Sequence, residues 1–449
     1  MKIVIAGAGE VGSHLAMMLY EENHSITVID HDEDRLRHIA ETADVMVING
    51  MSTSMAILEQ ANVGKADLFI AVSPSLEQDM NIVSAAFAKK MGAKKAIARI
   101  NNDEYLQPEH NAIFADLGID YLFYPEKNAT TEILNLLAQT GSTEFVTFSG
   151  GNLQLIAYKL DAHAPIIDKM LSDVYQDYQN INYRAVAISR NGSTIIPNGL
   201  DTFKENDVVF ILSNKEGLQE VMKSSGKTIL DVQKVLILGG TRIGVMLAAA
   251  LEGKIEQVKL IDANREHCEA LAEQLHDTLI ICGDIRDTDL LMEEEIGNID
   301  AFVAVTGSSE TNILSCVFAK RMGVKKTIAE IENIDYISLA KNMGIDAIIN
   351  KKLITAGRIF RFTLGSNVQS LKLLNGSEVE VLEFIVKAGS PITKGMIKDI
   401  KFPDNAILGG VVRGSQSFIA VGESEIKPYD RVIVVTLPSA TSKVSRFFE

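Results

Sequence analysis

The sequence predicts an α/β protein with two Rossmann-like lobes, each built on a doubly wound parallel sheet and each followed by a small α+β lobe. Two observations predict this fold class: the chain contains an internal tandem duplication, and each copy alternates short β-branched runs with amphipathic stretches of helical length. With 449 residues the chain is also too long for one ordinary core. We therefore expect several domains.

The duplication starts at the amino terminus. The segment KIVIAGAGEVG at residues 2–12 reappears as KVLILGGTRIG at residues 234–244, an offset of 232. The match continues in NIVSAAFAKKMG, which begins at Asn81, and NILSCVFAKRMG, which begins at Asn312. A fainter repeat pairs Arg190 and Asp207 of the first small lobe with equivalent residues of the second.

The repeat divides the chain into four predicted lobes in the order large, small, large, small. The first large lobe is predicted over residues 1–138 and its small lobe over residues 139–226. The second large lobe is predicted over residues 231–366 and its small lobe over residues 367–449. Both small lobes are rich in short alternating strands with Gly and Asn turns.

A glycine-rich turn of the form GxGxxG follows the first strand and opens a helix, with Gly7, Gly9 and Gly12 at its glycine positions. Such a turn lets backbone approach a pyrophosphate, and the helix N-terminus offers N–H groups to phosphates. Asp30 ends the second strand, where a carboxylate accepts hydrogen bonds from a ribose diol and repels a 2′-phosphate. NAD, or an adenine nucleotide such as ATP, is therefore favoured over NADP. The alternatives are an empty scaffold and, for Asp30, capping of the next helix.

The second copy departs from this motif at the middle glycine, where it carries Thr241. A Cβ at that position crowds the approach of a pyrophosphate. Asp262 keeps the acidic position, and the Arg242 guanidinium suits a mononucleotide with more phosphate charge. Two interpretations stay open: a second functional site, or a degenerate copy kept for packing.

Other candidate residues lie at the carboxyl edge of the predicted sheets, where open α/β sheets bind ligands. Ser73 and Pro74 follow the fourth strand, and Arg99 lies in the next one, with Glu330 at the matching position of the second copy. An arginine in an apolar strand is costly unless paired. We expect either a phosphate or an internal carboxylate beside Arg99.

Composition argues against several classes of function. A formal charge of −16 disfavours nucleic acid as a partner. The three cysteines lack the spacing of a zinc site or a disulfide framework, so no metal site is predicted and a reduced cytosol fits best. The chain starts directly with a strand, which leaves no room for a signal peptide, and lacks the roughly 20 apolar residues needed to cross a bilayer. Any membrane association is expected to be peripheral, through a partner.

No catalytic residues are predicted. A dehydrogenase needs a proton donor or acceptor beside the nicotinamide, but His14, His24, His31 and His38 of the first large lobe do not recur in the second. Nucleophile elbows, HExxH helices and Walker loops are also missing from the sequence. Duplicated binding modules without acid–base residues favour allosteric regulation. The alternatives are an NAD-dependent oxidoreductase and a nucleotide-free scaffold.

In its repeat order, its GAGEVG turn with Asp30 and its paired segments from Asn81 and Asn312, the chain resembles the TrkA family over essentially its whole length. Members of that family are cytosolic regulatory subunits of Trk potassium uptake systems, with two regulator-of-potassium-conductance (RCK) units. The resemblance implies a homo-oligomeric ring, a dimer or tetramer, on the inner face of the plasma membrane beneath a Trk-type potassium-transporting subunit. It also implies NAD or NADH in the first lobe, and ATP or ADP as further ligands, especially in the second.

The resemblance further implies, position by position, which residues bind the nucleotide. In the first lobe these are Gly7, Ala8, Gly9, Glu10, Val11, Gly12, Asp30, Ser73, Pro74 and Arg99. In the second lobe they are Gly239, Gly240, Thr241, Arg242, Ile243, Asp262 and Glu330. The acidic Glu330 disfavours phosphate beside it, but not ribose or adenine.

Overall fold

The protein is described here by a computed structural model that divides into two compact units. Unit 1 comprises Met1–Asn128 and Lys351–Thr363, and unit 2 comprises Ala129–Asn350 and Leu364–Glu449. The structure describes residues 1–73, 78–139, 141–174, 182–218, 220–221, 230–364, 368–374 and 377–449. Pro74, one of the predicted binding residues, lies outside the described residues.

The strands follow the alternation that the sequence predicts in each copy. In the first copy they are β1 (Lys2–Ala6), β2 (Ser25–Asp30), β3 (Met46–Asn49), β4 (Leu68–Ala71), β5 (Ala96–Arg99), β6 (Tyr121–Phe123), β7 (Glu144–Phe148), β8 (Leu153–Lys159), β9 (Tyr183–Arg190), β10 (Ser193–Ile195) and β11 (Val208–Asn214). In the second they are β12 (Lys234–Leu238), β13 (Gln257–Asp262), β14 (Thr278–Cys282), β15 (Ala301–Ala304), β16 (Lys326–Glu330), β17 (Ala347–Ile349), β18 (Val368–Leu373), β19 (Glu380–Ile385), β20 (Ala406–Arg413), β21 (Gln416–Ile419) and β22 (Arg431–Thr436).

The α-helices lie mainly between the strands of the large lobes. In the first copy they are α1 (Glu10–Glu21), α2 (Glu33–Thr42), α3 (Met55–Gln60), α4 (Gln78–Met91), α5 (Asn111–Asp116), α6 (Pro125–Ala138) and α7 (Leu171–Val174). In the second they are α8 (Arg242–Leu251), α9 (Arg265–Gln274), α10 (Thr288–Glu293), α11 (Ser309–Arg321), α12 (Asp335–Asn342), α13 (Lys351–Phe360) and α14 (Pro438–Ser445).

Unit 1 contains a six-stranded parallel sheet in the order β3-β2-β1-β4-β5-β6. The central strand β1 is the apolar run at the amino terminus, and every residue in it except Lys2 is buried. The strand order reverses between β1 and β4, which is the arrangement of dinucleotide-binding folds. The carboxyl ends of these two strands therefore mark the expected ligand crevice.

Unit 2 contains an equivalent parallel sheet in the order β14-β13-β12-β15-β16-β17. Lys326, in β16, is completely buried, and its ammonium donates a hydrogen bond to the Ser142 carbonyl oxygen at 2.5 Å. Burial lowers the pKa of Lys326 to about 8, although the Asp346 carboxylate acts in the opposite direction. A charged lysine at this position is costly because burial removes the ammonium from water.

Two antiparallel sheets of unit 2 complete the fold, in the orders β10-β9-β11-β8-β7 and β18-β19-β22-β20-β21. They share one apolar core, to which Leu153 and Leu212 contribute from one sheet and Val381 and Ile433 from the other. The parallel sheets and the antiparallel sheets together confirm the predicted fold class.

The fainter repeat between the small lobes has a structural basis in two equivalent ion pairs. Arg190 binds both carboxylate oxygens of Asp207, at 2.8 and 2.7 Å. Arg413 binds Asp430 with the same two distances. Both carboxylates are nearly inaccessible to solvent, so each pair fixes the chain that leads into the last strand of its sheet.

Helix α13 belongs to unit 1, although it follows the last strand of the second parallel sheet. It packs against α1, and the Lys352 ammonium lies 3.4 Å from the Glu10 carboxylate. Helix α6 begins in unit 1 and continues into unit 2 at Ala129. The two units are defined by contacts within the structure, whereas the four lobes are defined by the sequence repeat. The units therefore do not test the lobe boundaries, which stay a prediction.

Candidate nucleotide-binding sites

The glycine turn of the first lobe brings β1, α1 and the end of β4 into close contact. Gly7 has a φ of +110°, and a Cβ there would lie 2.6 Å from the Ser73 nitrogen. A Cβ on Gly12 would lie 1.8 Å from the Gly7 carbonyl oxygen. Neither position accepts a larger residue, so these two glycines are required by the fold itself.

Gly9 is different, because no described atom beyond its chain neighbours and the backbone of its own helix lies within 4 Å of the position that its Cβ would occupy. It is the N-cap residue of α1, and no side chain caps this end of the helix. The first turn of a helix has N–H groups without intrahelical acceptors. The open space in front of Gly9 is therefore suited to an anionic group such as a pyrophosphate.

Asp30 lies beside this turn with a nearly buried carboxylate. One carboxylate oxygen accepts a hydrogen bond from the Ala8 N–H at 2.5 Å, and the other accepts one from the Asp32 N–H at 2.9 Å. The alternative role, capping of α2, belongs to Asp32, which accepts from the N–H groups of Asp34 and Arg35. Asp30 thus lies where a ribose next to the turn would meet it.

Arg99 pairs with Glu126, a residue that the sequence analysis missed. The guanidinium donates to the carboxylate at 2.7 Å, and both side chains are largely buried. Of the two expected partners of Arg99, the structure has the internal carboxylate. Within the described part of the chain, the buried Nε of Arg99 has no hydrogen-bond partner.

Asn81 connects Ser73 with Arg99 and is the second residue that the analysis missed. Its amide donates to the carbonyl oxygens of Ser73 and Arg99, both at 3.2 Å, and its oxygen accepts from the Ser73 N–H at 3.0 Å. Asn312 makes the equivalent bonds to Thr306 and Glu330 in the second lobe. The signal was present in the sequence, because the two asparagines begin the most similar segments of the repeat.

The second turn has the same backbone shape as the first. Gly239 has a φ of +107°, and the Gly240 N–H donates to the Asp262 carboxylate at 2.8 Å. However, a Cβ on Gly240 would lie 2.8 Å from that carboxylate and 2.9 Å from Leu271. The first lobe accommodates the Ala8 methyl group at this position, so the second turn is more tightly packed.

In the second lobe, the Thr241 side chain fills the space that corresponds to the open space in front of Gly9 in the first lobe. Its hydroxyl donates to the Val305 carbonyl oxygen at 2.7 Å and accepts weakly from the Gly244 N–H at 3.4 Å. Thr241 therefore caps α8, which places a side chain where the first lobe has space for a ligand. Arg242 is exposed in the first turn of that helix.

The charged pair of the first lobe is not retained in the second. Buried Glu330 stands at the position of Arg99, and the repeat aligns Lys352 with Glu126. The signs of both charges are thus exchanged, and Lys352 lies in unit 1 beside Glu10. Of the other predicted residues, Glu10 is exposed, Val11 is half-buried and Ile243 is buried.

Among the residues that the structure describes, no group of three or more His, Cys, Asp or Glu side chains could hold a metal ion. None of the helices formed by the described residues is long and apolar enough to span a bilayer.

The chain matches two protein families along most of its length. Residues 3–125 and 235–351 match the TrkA-N domain, and residues 155–226 and 381–449 match the TrkA-C domain. Among curated relatives, the Trk system potassium uptake protein TrkA homolog of Archaeoglobus fulgidus is 34% identical, covering 100% of both chains. The Trk system potassium uptake protein TrkA of Vibrio alginolyticus is 33% identical over 97% of this chain and 95% of the relative.

The fold also matches solved structures. The GsuK channel bound to NAD superimposes with a TM-score of 0.62 at 17% identity, covering 100% of this chain and 78% of that one. At 17% sequence identity, this structural similarity establishes a shared fold and nothing about function. Together, the two domain families and the relatives of 33–34% identity confirm the resemblance noted from the repeat. The chain belongs to the TrkA family.

Proposed function

We propose that this chain is a nucleotide-binding regulatory subunit that gates a Trk-type potassium transporter in response to NAD(H) or ATP/ADP. The observation that carries this proposal is the open space in front of Gly9, bordered by Asp30 and by the uncapped end of α1. Membership of a family whose members are named for Trk potassium uptake supports the transporter as partner.

The first pocket is assigned to NAD or NADH. Asp30 would accept hydrogen bonds from a ribose diol, and its charge disfavours the 2′-phosphate of NADP. The NAD-bound GsuK channel, which shares the fold, supports this choice. We assign to this pocket residues 7–12, Asp30, Ser73 and Arg99, together with Glu126 and Asn81 as the residues that position Arg99.

The second pocket is assigned to ATP or ADP, with Asp262 toward the ribose and Arg242 toward the phosphates. An exposed guanidinium at a helix N-terminus gives anion binding that does not need backbone contact at the middle glycine. Thr241 and Glu330 leave less room and less positive charge than the first pocket has. We therefore expect weaker binding here, through residues 239–243, Asp262 and Glu330.

The contact between α1 and α13 is the proposed route from the first pocket to the rest of the molecule. Glu10 lies in the first turn of α1, where a ligand phosphate would repel it, and its partner Lys352 lies on α13. The Lys352 ammonium can therefore pair either with the Glu10 carboxylate or with the phosphate of the ligand. A nucleotide that favours one of these two pairings shifts the equilibrium between conformations by its difference in affinity.

Self-association of the chain is supported by a repeated set of exposed apolar residues. Val83 on α4, Ile113 on α5 and Leu117 directly after α5 are exposed. The repeat aligns them with Leu314 on α11, Leu339 on α12 and Met343 directly after α12, which are also exposed. Exposed apolar patches commonly mark protein contacts. The proposed assembly is a cytoplasmic homo-oligomeric ring, peripheral to the membrane, that binds nucleotide without turnover.

A calorimetric panel of NAD, NADH, NADPH, ATP and ADP on the full chain tests the proposal. Asp30→Ala is expected to weaken NAD binding at least tenfold, because the ribose loses its acceptor. Gly9→Thr, which fills the open space in front of the turn, is expected to weaken NAD binding as well, and Gly395→Thr is its matched control, since Gly395 also has open space around its Cβ position but lies in the second small lobe. Unchanged NAD affinity in Asp30→Ala would contradict the site, and no binding of any nucleotide would contradict the function.

A further inference from the structure

Two of the three cysteines lie near the carboxyl end of β14, one on this strand and one on helix α9. Asp262, the last residue of β13, pairs in register with Cys282, the last residue of β14. Cys268 lies on α9, and its sulfur is 3.3 Å from the Asp262 carbonyl oxygen and 3.9 Å from that of Ile281. Ile281 directly precedes Cys282 in β14, so the Cys268 sulfur lies close to the Cys282 backbone. Both cysteines are free thiols.

The two thiols differ in their access to solvent. Cys282 is exposed, whereas Cys268 is buried. The third cysteine, Cys316, is also buried and hydrogen-bonds to the Ile328 carbonyl oxygen in a different part of the sheet. Of the three cysteines, Cys268 and Cys282 therefore combine an accessible sulfur with a second, buried one on the neighbouring element, as a disulfide-forming pair requires.

From this geometry we infer that Cys268 and Cys282 form a reversible oxidation site, which hydrogen peroxide closes into an intrachain disulfide and dithiols reopen. The exposed Cys282 thiolate attacks the peroxide oxygen, the O–O bond breaks, and the leaving hydroxide takes up a proton to become water. The Cys268 sulfur then attacks the sulfenic acid on Cys282. The S–S bond forms, the S–O bond breaks, and the departing hydroxide takes the Cys268 proton as a second water.

The order of these steps follows from the environment of each sulfur. Burial, reinforced by the neighbouring Cys282, raises the pKa of Cys268 to about 11. Since the thiolate is the nucleophile, Cys268 is the poorer first reactant with peroxide and the better placed resolving thiol. Because Cys282 is exposed, its thiolate is the one that reacts first with the peroxide.

The site is specific to the second copy of the repeat. The positions equivalent to Cys268 and Cys282 are Leu36 and Asn49, and Asn49 pairs in register with Asp30 as Cys282 does with Asp262. Leu36 is a buried hydrophobic core residue, and the Asn49 side-chain amide donates a hydrogen bond to the His31 carbonyl oxygen. Packing of this fold is therefore satisfied without sulfur, and oxidation would link α9 to β14 in the second lobe alone.

Thiol counting on the full-length protein tests the inference. After treatment with hydrogen peroxide and unfolding, the number of titratable thiols is expected to fall from three to one, and dithiothreitol is expected to restore three. Mass spectrometry of the digested protein should find Cys268 joined to Cys282 in one chain. Three remaining thiols, or a disulfide between chains, would overturn the site.

Serine variants provide the controls and test the order of the steps. Cys316→Ser is expected to lose both of its remaining thiols to peroxide, as the wild type loses two. In Cys268→Ser, a sulfenic acid probe such as dimedone is expected to label Cys282. In Cys282→Ser, Cys268 is expected to stay reduced. Rapid labelling of Cys268 in that variant would overturn the assigned order.

Discussion

The Thr241 hydroxyl donates a hydrogen bond to the Val305 carbonyl oxygen at 2.7 Å, and this one contact distinguishes the two glycine turns. In the first lobe the equivalent residue, Gly9, has no side chain and leaves α1 uncapped. Both residues have extended backbone that any amino acid adopts, with φ values of −67° and −63°. The two turns can therefore be exchanged by substitution without backbone strain.

Gly9→Thr is expected to keep the fold and to lose NAD. Its hydroxyl would cap α1 as Thr241 caps α8, a gain of a few tenths of a kcal/mol, on the order of the difference between Thr and Gly at an N-cap. Its side chain would occupy the open space in front of the turn. Urea unfolding should show no loss of stability, while calorimetry should show at least a tenfold loss of NAD affinity. Full affinity in a stable variant would argue against pyrophosphate binding here.

Thr241→Gly is the reciprocal exchange. It removes the bond to Val305 and the cap of α8, which we expect to cost about 1 kcal/mol of unfolding free energy. It also opens space in front of the second turn, so ATP affinity is expected to rise. Calorimetry in the Gly9→Thr background isolates the second pocket. A fall in ATP affinity there would mean that Thr241 itself contacts the ligand.

The Arg99 and Glu126 pair is expected to show strong coupling. Because both side chains are largely buried, Arg99→Met or Glu126→Leu alone should cost about 3 kcal/mol, since each removes one side of a buried ion pair, and the double variant should cost less than either. A double-mutant cycle in urea measures this. NAD affinity should fall whenever Arg99 is removed, with or without Glu126. Affinity that follows stability instead would assign Arg99 a structural role only.

The sequence repeat was sufficient for the fold class and for the two glycine turns, because both depend on local residues. The Rossmann strand order follows from alternating strands and helices, and Gly7 and Gly12 occur where the turn excludes a Cβ. Asn81 was visible in the same way, since it recurs as Asn312. Features that both copies share are the ones that a single sequence reveals.

Glu126 and the location of α13 could not be predicted, for a physical reason in each case. Glu126 recurs as Lys352, so the repeat carries no signal for a carboxylate. Helix α13 is amphipathic, and an apolar stripe shows that a helix packs but not against which lobe. The contact of Lys352 with Glu10, distant in sequence, is therefore known only from the structure.

The repeated apolar residues are expected to control self-association. Leu314 and Val83 are exposed by 63% and 39% on helices that the repeat aligns. Leu314→Asp and Val83→Asp should each leave the fold intact, because a charge on an exposed helical position costs little. Light scattering after size exclusion should show a smaller assembly in either variant. Leu200→Asp is the control, since Leu200 is 79% exposed in the first small lobe.

The stability of unit 2 should depend on pH through Lys326. The pKa of Lys326 falls from 10.5 to about 8 on folding, so between these values the unfolded chain binds more protons and the unfolding free energy rises with pH. The penalty for burying the charge is fully present below pH 8 and fades toward pH 10.5. Lys326→Met should therefore be stabilised relative to wild type at pH 7, and this advantage should narrow by about 2 kcal/mol at pH 10.

The difference in unfolding free energy between Lys326→Met and wild type at each pH excludes the contribution of every titrating group that does not contact Lys326. The variant loses the hydrogen bond to the Ser142 carbonyl oxygen at all pH values, which lowers its advantage by a constant amount. Lys254→Met, at an exposed position, should show a difference that does not change with pH. If Lys326→Met behaves like Lys254→Met in urea unfolding at pH 7 and pH 10, the buried lysine keeps its ordinary proton affinity.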